Sequence, residues 1–272
     1  MKAIPPTGVG PAYLSHVQDT SRIDPVRVHE LLSAHGCPWP APSYLPTTGS
    51  TNADAAQLVR QGAPDGSCVV AGEQTAGRGR HGRHWVSDPG AGLWLSTVLR
   101  GVSDPTRVPL IAALAVRDVA RQLGDLQLSI KWPNDVLATD GRKIAGILAE
   151  VVGDAVVVGI GINVDYSAKA LPDEAATSWF LETGQHPNRS DLLAGLLVRL
   201  FERGRLGWPA LLDDYRAACV TLGARLRVSL PGGEEFEGVG EALDESGHLV
   251  VRSGQSLRTV VAGDVIHATI TT

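Results

Sequence analysis

The fold class of this chain is indicated by the run Cys68-Val-Val-Ala-Gly-Glu-Gln-Thr-Ala-Gly-Arg-Gly-Arg-His-Gly-Arg-His-Trp85. Its first seven residues are strand-like, and a second strand-like run, Leu93-Trp-Leu-Ser-Thr-Val-Leu99, follows. The glycines formally match the dinucleotide pattern G-x-G-x-x-G, but that fingerprint must open a helix and needs an acidic residue about 20 positions later. Because this loop joins a strand to a strand, we do not predict a Rossmann fold. The sequence also lacks the P-loop motif, so we do not predict a P-loop fold.

Residues 77–85, called the Arg-Gly loop below, alternate arginine with glycine. Arg78, Arg80 and Arg83 carry permanent charge on planar donor groups that suit carboxylates and phosphates. Glycine lets a backbone approach a ligand closely, at an entropic cost when the loop becomes ordered. The pattern therefore indicates an anionic ligand over which the loop closes. A solvated basic turn or an RNA-binding RG segment is the alternative.

The remaining hydrophobic periodicity predicts an α+β fold, with a mixed β-sheet and helices packed on one side of it. Apolar spacing over 105–123 is typical of a buried helix face. The predicted strands are 67–73, 92–99, 127–132, 143–152 and 155–163, and the predicted helices are 25–34, 50–60, 105–123, 189–205 and 208–219.

The 272 residues are sufficient for one large core and a small second domain. Residues 1–46 hold eight of the 17 prolines and are predicted to form an arm on the core, whose first 20 or so residues are mobile. These prolines leave no room for a helix-turn-helix domain. After residue 220 the pattern changes to five short extended runs separated by turns, which predicts a small β-barrel over 221–272.

The amino-acid composition argues against several classes of partner and site. The net charge of −5 argues against a general nucleic-acid binder. We find neither a membrane-spanning run nor a signal peptide, so the expected location is the cytoplasm. Cys37, Cys68 and Cys219 lack C-x-x-C spacing, and the histidines lack a ligand pattern, so neither disulfides nor a protein metal cluster is expected.

Two further motifs carry polar groups suited to chemistry. Lys131-Trp-Pro-Asn-Asp135 ends a strand, and its proline places Asn134 and Asp135 in a turn. Gly141-Arg-Lys-Ile-Ala-Gly-Ile-Leu-Ala-Glu150 begins an apolar strand in which Lys143 faces away from Ile144. Taken alone, the first motif could be an ordinary turn with a packed tryptophan, and Lys143 could be a solvent-exposed residue at the edge of a sheet.

Together these motifs closely resemble biotin protein ligase. The resemblance rests on Ser50-Thr-Asn52, Gln74 with the Arg-Gly loop, Lys131-Trp-Pro-Asn-Asp135, Arg142-Lys-Ile-Ala-Gly-Ile-Leu148 and Gly159-Ile-Gly-Ile-Asn-Val164, in the family's order. It implies a class II synthetase-like biotin/lipoate ligase core over 47–220 and an SH3-like β-barrel over 221–272. Because residues 1–46 lack a winged-helix repressor domain, it also implies a monofunctional ligase.

The resemblance implies that biotin and Mg-ATP form biotinyl-5′-AMP, without a tightly bound prosthetic group. The biotinyl group then passes to a lysine of the biotin carboxyl carrier domain of an acyl-CoA carboxylase. The implied catalytic residues are Lys143, Arg78 and Arg80. Residues implied near biotin are Ser50, Thr51, Asn52, Gln74, Arg78, Gly79, Arg80, Lys143 and Gly146. Those implied near ATP or the adenylate are Arg80, Arg83, Trp85, Lys131, Asn134, Asp135 and Asn163, with Mg²⁺ near Asp135.

Several alternatives stay open on sequence alone. Ser50 to Asn52 could serve only as a helix cap, and Trp85 could be a core aromatic rather than an adenine-stacking surface. A lipoate or octanoate ligase shares the core, although the Ser-Gly-Gly-Gly segment typical of that family is missing from the sequence. A non-catalytic RNA- or DNA-binding protein is a more distant possibility. The expected oligomeric state is a monomer or a ligand-linked dimer.

Overall fold

The computed structural model describes residues 22–261 and the backbone of residues 264–267. The helices are α1 Pro25–Ala34, α2 Thr51–Arg60, α3 Val108–Gly124, α4 Trp179–Thr183, α5 Arg189–Gly204 and α6 Trp208–Ala218. The strands are β1 Ser43–Leu45, β2 Cys68–Ala71, β3 Gly92–Arg100, β4 Ser129–Lys131, β5 Asp135–Leu137, β6 Lys143–Val152, β7 Ala155–Asn163, β8 Arg225–Ser229, β9 Glu235–Leu243, β10 Leu249–Ser253, β11 Ser256–Val260 and β12 Asp264–His267.

The larger sheet has seven strands in the order β1-β2-β3-β7-β6-β5-β4. β1 runs parallel to β2, and the other neighbours are antiparallel, so the predicted mixed sheet is confirmed. The Arg-Gly loop joins β2 to its antiparallel neighbour β3, as the strand-to-strand pattern predicts. Sequence periodicity missed β1 and β5 because three residues are too few to establish an alternation.

Helices pack on both faces of this sheet, so the prediction of helices on one side is wrong for α2. α3 lies against β5, β6 and β7, and α5 packs on α3. α2 contacts β2, β3 and β7, where Val157 joins Ala55 and Val59 in a separate apolar cluster. Val156 and Val158 point the other way, into the main core. β7 is apolar on both faces, which is why it needs helical cover on each side.

The described part of the predicted N-terminal arm is built into this core. Asp24 caps α1 by accepting hydrogen bonds from the backbone of Val26 and Arg27, and Pro25 occupies the first turn. α1 packs on α5, and β1 adds an edge strand to the sheet. The mobility predicted for the first 20 or so residues concerns a segment outside the described residues. The division at residue 46 stays a prediction.

The five strands after residue 220 form a second, antiparallel sheet in the order β11-β10-β9-β8-β12. Its apolar face, which includes Leu226 and Val251, continues the buried cluster around α3. Trp132 Nε1 donates a hydrogen bond to the Gly247 carbonyl, 3.0 Å away, and so ties the β4–β5 turn to this sheet. The predicted domain boundary at 220 remains a prediction. Among the residues described, the helices are too short or too polar to cross a lipid bilayer.

Candidate active site

A cleft of about 410 Å³ opens on the face of the large sheet that carries α2. Its walls are the first turn of α2, the Arg-Gly loop and the β4–β5 turn, and its floor is formed by β6 and β7. All site residues predicted from the sequence line this cleft: Ser50, Thr51, Asn52, Gln74, Arg78, Gly79, Arg80, Arg83, Trp85, Lys131, Asn134, Asp135, Lys143, Gly146 and Asn163. Their individual roles stay predictions.

Glycines make room for the cleft at the centre of the sheet. Gly146 of β6 pairs directly with Gly161 of β7, and a Cβ on either would lie 2.7 Å from the Trp85 ring. Trp85 is half-buried, packs edge-on against Trp94 at a centroid distance of 6.3 Å, and its Nε1 has no hydrogen-bond partner among the described residues. The ring therefore forms a wall of the cleft that depends on both glycines.

One end of the cleft is lined by uncharged hydrogen-bonding groups. Gln74 Oε1 accepts from the Thr51 backbone N–H at 2.8 Å, and Gln74 Nε2 donates to Ser87 Oγ at 2.8 Å. Ser96 Oγ lies 2.8 Å from Thr51 Oγ1 and 2.6 Å from Asn52 Oδ1. Sequence reasoning missed Ser87 and Ser96, although a serine inside the apolar run of β3 is a signal, because buried hydroxyls need partners.

The first turn of α2 tests the alternative that Ser50 to Asn52 serve only as a helix cap. Ser50 occupies the N-cap position, but its side chain makes no capping hydrogen bond. Gln74, three residues after the end of β2, accepts the hydrogen bond from the Thr51 N–H instead and so caps the helix from outside. Ser50 is buried and lines the cleft, and side-chain capping does not account for its place there.

Arg78 is held at this uncharged end by an acidic residue that the sequence did not reveal. Its Nη2 donates to Glu150 Oε2 at 3.1 Å, and the same oxygen accepts from Asn52 Nδ2 at 2.6 Å. Glu150 lies near the end of β6, two residues beyond Leu148. The contact joins the Arg-Gly loop, α2 and the sheet.

The opposite end of the cleft is charged. Arg80 Nη1 donates to Asn134 Oδ1 at 3.1 Å, and Asn134 Nδ2 donates to the Ile147 carbonyl at 3.2 Å. Lys143 Nζ lies 2.6 Å from Asp135 Oδ1 and 5.0 Å from the centre of the Trp85 ring.

The Arg-Gly loop between these ends is a tight turn. Gly79 N–H donates to the Arg83 carbonyl at 2.7 Å, and His81 and Gly82 have φ of 54° and 72°. That left-handed backbone explains the glycine at position 82. The turn separates Arg78 from Arg80, so that each faces a different end of the cleft.

A second loop, residues 164–178, reaches the charged end, and sequence reasoning gave it no role. Lys143 N–H donates to the Ala175 carbonyl at 2.7 Å, and Thr177 N–H donates to the Lys143 carbonyl at 2.9 Å. Buried Asn163 supports the loop through a 3.0 Å hydrogen bond from its Nδ2 to the Thr177 carbonyl. This loop also brings Asp173 to the cleft. Its residues lack the periodicity or motif that would have indicated it.

Comparisons with known proteins agree with this geometry. Residues 44–167 match the Biotin/lipoate A/B protein ligase family, and residues 221–268 match the Biotin protein ligase C terminal domain. The biotin protein ligase of Aquifex aeolicus, solved in complex with biotin and ATP, superposes with a TM-score of 0.74 at 26% identity, covering 84% of this chain and 99% of that one. The fold and the cleft therefore define a ligase of the biotin and lipoate class.

Relatives narrow the class further. The biotin--[acetyl-CoA-carboxylase] ligase of Mycobacterium tuberculosis is 39% identical over 257 residues, which cover 90% of this chain and 96% of that protein. The bifunctional ligase/repressor BirA of Bacillus subtilis is 32% identical, over 82% of this chain and 72% of its own length. The chain belongs to the biotin protein ligase family, and it is an enzyme that uses biotin and ATP as substrates.

Proposed function

We propose that this cleft activates the valeryl carboxylate of biotin with ATP and then transfers the biotinyl group to a lysine of a biotin carboxyl carrier domain. The observation that carries the proposal is the chemical polarity of the cleft. Amide and hydroxyl groups line the α2 end, arginine, lysine and aspartate line the β4–β5 end, and a glycine floor runs between them. A ligand with a neutral polar ring, an apolar tail and a terminal anion matches that order.

Biotin's ureido ring is assigned to the α2 end. Its carbonyl and N–H groups need both donors and acceptors, which Ser50, Thr51, Asn52 and Gln74 can supply. The tail then extends along Gly146 towards Lys143. Arg78 belongs to this end because Glu150, which also accepts a hydrogen bond from Asn52, holds it there.

The charged end is assigned to the reaction centre. A carboxylate oxygen of biotin attacks the α-phosphorus of ATP, and the bond to pyrophosphate breaks. Two anions must meet within reacting distance, which costs electrostatic energy unless cations lie between them. Lys143 and Arg80 supply that charge, with Lys131 and Arg83 at the phosphates and Asn134 orienting Arg80.

ATP would enter with Mg²⁺, whose role is to neutralise charge on the phosphates. The residues present fit such an ion, because Mg²⁺ prefers oxygen ligands and binds through one or two carboxylates together with substrate phosphates. Asp135 and Asp173 offer those carboxylates at the charged end. Among the described residues, no group of three or more His, Cys, Asp or Glu is arranged to hold a metal alone.

In the second step the ε-amine of the carrier lysine attacks the carbonyl carbon of the mixed anhydride, and AMP leaves with the bonding electron pair. The Arg-Gly loop would act as a lid that keeps water from the adenylate until the carrier arrives. Trp85, the last residue of the loop, lies over the glycine floor and is our candidate for the adenine surface. A monomeric or ligand-linked dimeric state and a cytoplasmic location stay predictions.

Biotin-dependent ATP–pyrophosphate exchange, followed by biotinylation of a purified carrier domain, tests the proposal. We expect both activities with biotin, and far less exchange with lipoate or octanoate. Folded protein that is inactive with all three acids would refute the proposal. Preference for lipoate or octanoate would move the enzyme to the other branch of the ligase class.

A further inference from the structure

Glu150 lies outside the lining of the cleft, yet it contacts two groups that line it. Its Oε2 accepts hydrogen bonds from Asn52 Nδ2 at 2.6 Å and from Arg78 Nη2 at 3.1 Å. Asn52 is buried, whereas Glu150 and Arg78 are partly exposed. One carboxylate oxygen therefore joins Asn52 to the Arg-Gly loop. Asn52 belongs to the α2 end of the cleft, which is assigned to the ureido ring and is called the ring-binding end below.

The amide side chains at this end of the cleft are oriented in two different ways. Gln74 must present its oxygen to Thr51, because a backbone N–H can only donate. Asn52 has no backbone N–H to orient it, and the one backbone carbonyl recorded at its Nδ2, that of Leu148, lies 3.5 Å away, at the limit of a hydrogen bond. Its Oδ1 lies 2.6 Å from Ser96 Oγ, and a hydroxyl can donate or accept, so this contact fits either orientation of the amide.

Glu150 removes that ambiguity. An ionised carboxylate only accepts, so Asn52 must turn its NH₂ towards Glu150 and its oxygen towards Ser96. Gly159 leaves room for the amide, because a Cβ at position 159 would lie 2.0 Å from Asn52 Oδ1. The second N–H of Asn52 has the Leu148 carbonyl as its partner at 3.5 Å, a long contact that a closer acceptor on the ligand can replace.

We propose that Glu150 is a positioning residue that sets the donor and acceptor polarity of the ring-binding end and holds the Arg-Gly loop through Arg78. The proposal rests on the proposed function, in which Asn52 meets the ureido ring. It predicts that Glu150 controls discrimination between ligands that differ in hydrogen-bond polarity, and that it controls how well the loop retains the adenylate.

Glu150→Gln separates this role from a merely structural one. The substitution preserves shape, but a carboxamide can offer either its oxygen or its NH₂ to Asn52 and no longer carries charge for Arg78. The matched control is Glu241→Gln, since the Arg252–Glu241 pair on the second sheet has side-chain exposures of 46% and 36%, against 48% and 34% for Arg78–Glu150.

The first readout is pyrophosphate exchange with biotin and with 2-iminobiotin, in which an NH group replaces the ureido oxygen. For Glu150→Gln we expect the ratio of kcat/KM for biotin to that for 2-iminobiotin to fall about ten-fold, the effect of one misdirected hydrogen bond. An unchanged ratio would overturn the polarity role, whether or not both rates fall together.

The second readout is AMP release from biotin and ATP without a carrier, which measures leakage of the adenylate. We expect at least a three-fold rise in Glu150→Gln and no change in Glu241→Gln. Equal leakage from Glu150→Gln and wild type would overturn the loop-holding role. Wild-type enzyme that shows no exchange with biotin would instead refute the proposed function, so the two failures are distinguishable. Thermal unfolding of each variant checks that the fold is intact.

Discussion

Replacing Lys143 by methionine tests the assignment of the reaction centre, because methionine keeps most of the side chain's length and removes its charge. Lys143 Nζ lies 2.6 Å from Asp135 Oδ1, so the substitution removes a cation and leaves an aspartate without its partner. A unit charge 4 Å from a developing anion is worth about 4 kcal/mol at an effective dielectric constant near 20. That energy corresponds to about 10³-fold in rate. Removal of a single preorganised hydrogen-bond donor from an active site lowers kcat by about 10²- to 10³-fold, a similar effect.

We therefore expect Lys143→Met, and likewise Lys143→Ala, to lose at least about 10²-fold in biotin-dependent pyrophosphate exchange. Asp135→Asn serves as the control, and the double variant separates the two contributions. If Asp135 matters mainly through its pair with Lys143, the double variant should be no slower than Lys143→Met, because residues that act as a unit are not additive. A Lys143→Met enzyme within three-fold of wild type would show that the charged end is not the reaction centre.

Two further predictions concern single positions. In Gly159→Ala the new Cβ would lie 2.0 Å from Asn52 Oδ1, so the Asn52 amide must move and KM for biotin should rise about ten-fold or more. The control is Gly204→Ala, which has open space around its Cβ and should leave KM unchanged. Equal KM values for the two variants would contradict the placement of Asn52. Burial raises the pKa of Cys68 to about 12, so its thiolate is scarce at pH 8. Native protein should therefore resist a thiol reagent at Cys68, whereas the denatured chain should be labelled there. Rapid labelling of Cys68 in native protein would contradict the packing of β2.

Sequence reasoning succeeded where the functional groups are contiguous along the chain. Ser50 to Asn52, the Arg-Gly loop and Lys131 to Asp135 each combine residue types whose joint occurrence favours one chemistry, and the structure gathers all three segments at one cleft. The strand-to-strand position of the loop could be predicted because the flanking strands, with four residues in β2 and nine in β3, are rich in apolar residues.

Sequence reasoning failed where a residue's role depends on what lies across the sheet. Glu150 looks like any polar residue near a strand end, and only the approach of α2 and Arg78 gives it a role. The 164–178 loop is set by its pairing with Lys143, over 20 residues away along the chain. The placement of α2 opposite α3 was missed for a similar reason, since periodicity shows that β7 is buried but not which helix covers each face.

The face on which Lys143 lies depends on one irregularity in β6. Side chains alternate along a strand, so residues 143 and 146 should point to opposite faces, which would direct the lysine into the apolar layer against α3. The register between β5 and β6 shifts between Val136 and Leu137: Asp135 pairs with Gly146, whereas Leu137 pairs with Lys143. This bulge brings Lys143 to the face of Asp135 and Gly146. Strict alternation through Ile144, without the bulge, would put the ammonium group of the same sequence on the buried face, so the charge at the reaction centre depends on a backbone feature that alternation cannot predict.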